Sequence, residues 1–219
     1  MSTKTNKKMR LKMPDNLLLF NEKISKNTSE NFYTETEMST KKLALTALFI
    51  CFAGALSALE SILPIVPVNG IRVGLGNIVT LFILYIGGKW RGADALTVAV
   101  LRCFFAALIT GSLTNALYGL TGGILACGAM MTAQRIFPKT EGEMRFDTRF
   151  LPFTGVCGAV FHIAGQLLTA VLIYGTKYVL AYTPILLTSA VIGGTFTGLC
   201  TMLLLKKLPQ KLLDGIREQ

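Results

Sequence analysis

Seven polar residues lie in or beside long apolar runs: Glu60, Arg72, Asn77, Arg102, Asn115, His162 and Gln166. Ionisable groups at such places are costly and by default mark function. Arg72 and Arg102 supply planar, forked donors suited to a carboxylate or a phosphate. Glu60 would pair with one of them or accept a ligand's donor. His162 and Gln166 are four apart, so a helix puts them on one face. Between the first two apolar runs lies Asn69-Gly70-Ile71-Arg72-Val73-Gly74-Leu75-Gly76-Asn77. Its glycines let backbone turn sharply or approach a ligand closely. The chemistry on offer is capture of a small anionic group. Asn69, Arg72, Asn77 and the backbone at Gly74 and Gly76 would touch it, with Glu60, Arg102, His162 and Gln166 behind. Plainer readings stand beside this one. Glu60 with Arg102 is also a structural ion pair in prospect, His162 with Gln166 an interhelical hydrogen bond, and Arg72 a headgroup contact.

Catalysis is not indicated. No two acids are placed as a metal-binding motif, the lone histidine has no evident nucleophile, and there is no P-loop to hydrolyse ATP. Cys51, Cys103, Cys127, Cys157 and Cys200 lie in apolar runs and form no C-x-x-C pair, so they read as small apolar fillers. No metal site and no cofactor are expected.

The elements that must position these residues are membrane helices. The 219 residues are 52% hydrophobic and only 16% charged, with the charges gathered at the N-terminus and in short connectors. The net charge of +10 suits an anionic membrane rather than nucleic acid, because Lys and Arg flank apolar spans. Residues 1–40 read as a disordered, basic, cytoplasmic tail, whose Leu17–Phe20 run is too short for a signal-peptide core. Residues 41–208 read as an all-α polytopic membrane domain of about six transmembrane helices. The expected spans are 43–66, a short 77–88, 93–109, 116–136, 150–174 and 179–205. Residues 209–219 read as a cytoplasmic C-terminal tail. Ala47, Cys51, Gly54 and Ala58 make a smooth face on the first span, where a partner helix can approach.

With the N-terminus inside, the inner connectors hold Lys41, Lys42, Lys89, Arg91, Arg135, Lys139, Arg145, Arg149, Lys206, Lys207 and Lys211, and the outer ones only Arg72 and Lys177. The asymmetry predicts N-in, C-in and places the glycine loop outside.

Leu59-Glu60-Ser61, Pro64, Gly70 through Leu81, Arg102 and Gly158-Ala159-Val160-Phe161-His162-Ile163-Ala164-Gly165-Gln166 together resemble the bacterial Gx transporter family, also labelled heptaprenyl diphosphate synthase component I. The resemblance covers about residues 41–208. One position departs: the family often has Asn after the His, and here Ile163 stands. That family in turn resembles the S-components of energy-coupling-factor importers, six-helix proteins of the cell membrane. The resemblance implies a small-molecule substrate taken from outside and an S-component-like fold. It also implies a coupling subunit and ATPases as partners, docked on the small-residue face. The second label implies instead a membrane accessory subunit beside a prenyl diphosphate synthase, because the aspartate-rich motifs that hold magnesium and diphosphate are absent. A subunit of a quinone- or flavin-linked redox system is the third implication.

Overall fold

A chain this poor in polar side chains cannot leave peptide groups unpaired in lipid, and helices solve this by keeping every backbone bond internal. The structure, a computed structural model, describes residues 40–61, 74–87, 89–136 and 148–218. Every regular element among them is helical. The five long helices are α1 (Thr40–Ser61), α3 (Gly92–Thr110), α4 (Leu113–Ile136), α5 (Leu151–Tyr174) and α6 (Thr176–Lys207). Each contains an apolar stretch long enough to cross a bilayer. Between α1 and α3 sits the short α2 (Asn77–Ile86), and the chain closes with α7 (Gln210–Arg217). Leu108, Leu113 and Leu172 are each more than three-quarters exposed on the outside of the bundle, the surface that lipid tails cover. The protein is a multi-pass helical membrane protein.

The described helices overlap the expected spans, the short second one appearing as α2, while residues 62–66 of the first lie outside the described residues. Ten residues rise about 15 Å, roughly half a hydrocarbon core. Shortness is tolerated because α2 is central. It packs against α3, α4, α5 and α6, Phe49 of α1 meets its Phe82 edge-on, and all its residues except Ile78 are buried. Its last carbonyls are supplied from other elements. Gln134 Nε2 donates to the Leu84 carbonyl (2.8 Å) and Arg217 Nε to the Ile86 carbonyl (2.8 Å). The arginine also places positive charge at the helix's negative end.

The expected C-terminal tail contains α7, and this helix is docked. Leu213 is buried. The fully buried Trp90 donates its indole N–H to the Ile216 carbonyl (2.8 Å), and the Lys89 amide donates to the Arg217 carbonyl (3.0 Å). Trp90 also receives Lys42 over its ring (5.3 Å) and Phe49 against its edge, while Lys42 pairs with Asp94 (2.9 Å). The first turns of α1 and α3, the last turn of α2 and α7 therefore share one end of the bundle, called here the Trp90 end.

Small residues set the closest helix crossings. A methyl at Gly155 of α5 would strike the backbone of Gly194 and Gly198 in α6, and one at Gly165 the backbone of Thr121 and Gly122 in α4. Such stripes let helices meet without side chains between them. Hydroxyls are satisfied locally: Thr46, Thr97, Thr110, Thr132, Thr188 and Thr195 each bond the carbonyl four residues back, which suits a helix facing lipid.

Candidate functional site

The site is built where α1 ends and α2 begins. Ser57 and Glu60 are three apart on α1 and share a face, and both are buried. The lead-in to α2 is a tight turn in which the Asn77 amide donates to the Gly74 carbonyl (2.9 Å) and the Ile78 amide to the Leu75 carbonyl (3.1 Å). Gly74 has φ of +94°, where a side chain is strained. This turn aims two backbone amides at α1. The Gly74 N–H donates to Glu60 Oε1 (2.6 Å) and the Leu75 N–H to Glu60 Oε2 (3.0 Å). One carboxylate thus spans two successive amides at the positive end of α2, a favourable place for negative charge.

Arg102 comes in from α3 and is 2% exposed. Its Nη1 donates to Ser57 Oγ (2.9 Å) and its Nη2 to Asn77 Oδ1 (2.7 Å). Both partners are neutral oxygens, and Nε has no hydrogen-bond partner among the described residues. Gly76 leaves room for this guanidinium: a methyl there would collide with Arg102 Nη1, Ser57 Oγ and the Ala53 carbonyl.

His162 and Gln166 close the site from α5. Their side chains bond each other, Nε2 to Nε2 (2.9 Å). This bond lies within α5, where the sequence left open an interhelical one. The His162 ring packs on glycines of two neighbours. A methyl on Gly74 would come within 3.2 Å of its Cδ2, and one on Gly122 of α4 within 2.8 Å of its Nδ1. Ser57, Glu60, Gly74, Arg102, Cys103, Gly119 and His162 line a cavity of about 10 Å³, roughly the room one water needs.

A family model described as "Heptaprenyl diphosphate synthase component I" matches residues 49–204. The chain belongs to the heptaprenyl diphosphate synthase component I family. No curated protein and no solved structure matches it.

In this component I chain, then, the expected residues Glu60, Gly74, Gly76, Asn77, Arg102, His162 and Gln166 come together at one place. Asn69 and Arg72 lie outside the described residues, as do residues 1–39 and 137–147. Asn115 lies in the first turn of α4, one turn before Gly119. The small-residue face of α1 is divided. Ala47 and Cys51 are exposed, while Gly54 and Ala58 are buried, Gly54 because the Phe105 ring of α3 lies against it. Ser57 and Gly122 were not anticipated. Ser57 had a readable signal, a hydroxyl one turn before Glu60 in an apolar run. Gly122 had none, because only the meeting of α4 and α5 gives it the His162 ring as neighbour.

Proposed function

We propose that this protein captures a small, anionic, partly apolar molecule at the outer side of the bacterial plasma membrane and passes it inward with the help of partner subunits, in the manner of an S-component. Arg102 carries the reading. A guanidinium held midway along a membrane helix, resting on two neutral oxygens with its Nε unspent among the described residues, is costly to keep, and an anionic ligand would supply what it lacks. Glu60, Gly74, Gly76, Asn77, His162 and Gln166 form its surroundings, with Asn69 and Arg72 as the outer part of the loop. The predicted charge asymmetry puts the Trp90 end inside, together with the basic tail over 1–40. The exposed part of the small-residue face, Ala47 and Cys51 with Ala44 and Ala55, is where a coupling subunit would lie, with ATPases behind it. The chain carries no catalytic motif in this reading and is not an enzyme.

The family's description favours a second reading: a non-catalytic membrane subunit held beside a prenyl diphosphate synthase. Native mass spectrometry of the protein purified gently from its own membrane separates the two. The first expects a bound small molecule, lost on Arg102→Gln, together with coupling and ATPase subunits. A bound soluble synthase and no small molecule would establish the second and sink the first.

A further inference from the structure

The amides of Gly74 and Leu75 form a seat for one planar carboxylate, and the protein's own Glu60 occupies it. Two oxygens of a single carboxyl group take two successive N–H groups at 2.6 and 3.0 Å. The seat opens on the cavity that Arg102 and His162 also line, and the buried Arg102 brings there a charge whose Nε has no partner among the described residues. With Glu60 seated, the cavity is too small for a metabolite. With Glu60 displaced, its place and the cavity become continuous.

We propose that Glu60 is a built-in stand-in for the ligand, and that the ligand binds by putting its own carboxylate on the Gly74 and Leu75 amides while Arg102 neutralises it. This rests on the capture reading and gives it a substrate class: small carboxylates rather than phosphate esters. The seat already holds a carboxylate, two oxygens on two amides, and a ligand carboxylate repeats that arrangement; phosphate, which amides at a helix N-terminus also bind, is the competitor that the test separates.

The test is replacement of the stand-in from solution. Full-length Glu60→Ala in lipid nanodiscs is compared with wild type in sodium acetate, sodium phosphate and sodium chloride at matched ionic strength. Amide exchange over residues 74–77 and the thermal midpoint are read. In chloride the variant should exchange faster than wild type across the turn. Acetate should restore protection about tenfold and raise the midpoint, as any ligand of the folded state does. Phosphate should do no more than chloride, wild type should not respond, and Arg102→Gln added to Glu60→Ala should abolish the acetate effect. Where Glu60→Ala does not fold, Glu60→Gln keeps the volume and offers acetate a neutral competitor that it can displace. Acetate acting no better than chloride overturns the proposal, and phosphate acting as well as acetate overturns the assignment to carboxylates. The capture reading fails separately. If acetate rescues the variant but wild type from its own membrane carries no small molecule, the seat stands and capture does not. If wild type carries a molecule without a carboxyl group, capture stands and the seat does not.

Discussion

At the scale of single residues, the site is held by contacts that leave little freedom to substitute. Gly76→Ala pushes a methyl into the Arg102 guanidinium and the Ala53 carbonyl. Overpacking of this kind costs about 1–3 kcal/mol, and the variant should unfold at a lower temperature in detergent. Ser57→Ala removes the acceptor for Arg102 Nη1. A buried donor left unpaired costs about 1–3 kcal/mol, so the thermal midpoint should fall, while Ser57→Thr, which keeps the hydroxyl, should recover most of it. An unchanged midpoint in Ser57→Ala would mean that Arg102 finds another acceptor. The types of these residues were legible in the sequence because an acid, an arginine and a histidine are conspicuous in apolar runs. Their partners were not. Glu60 was read as bonding an arginine or a ligand, and its seat on two backbone amides was not foreseen. Those amides face α1 only because Gly74 turns the chain, and that is a property of the folded backbone.

At the scale of elements, α2 is short, buried and held at both ends by other parts of the chain. Its C-terminal end depends on α7 through Arg217 and, just beyond, through Lys89 and Trp90. Arg217→Gln and Trp90→Phe each remove one such bond, worth about 1 kcal/mol. Hydrogen exchange at residues 84–90 should quicken in both variants, and more so when α7 is deleted from Pro209 onward. Unaltered exchange after the deletion would show that the bundle holds α2 without help. The long helices were legible because each is an unbroken apolar run of spanning length. α7 was missed for a physical reason. Its eight residues, with a glycine inside, are too few for a readable pattern, and it is placed by bonds from residues more than a hundred positions away.

At the scale of the whole molecule, the first turn of α1 and α7 share the Trp90 end, and the proposed sidedness puts that end inside. In a cysteine-free background, Ser112→Cys, in the turn between α3 and α4, should react with a membrane-impermeant thiol reagent on intact cells. Lys211→Cys should react only once the membrane is opened. Labelling of both from one side would refute the arrangement. The depth of the site has its own consequence. α2 carries the chain about 15 Å inward from the Trp90 end, and Arg102 lies ten residues beyond the first residue of α3. If the long helices span the bilayer, both put the proposed seat about midway along them. A ligand charge arriving there crosses about half of the membrane voltage, worth roughly 1 kcal/mol for each 100 mV. In proteoliposomes carrying an inside-negative potassium diffusion potential, the capture reading expects an anion taken from outside to bind several-fold more weakly than without the potential, so that on that reading the energised state of the cell itself sets how tightly a ligand is held.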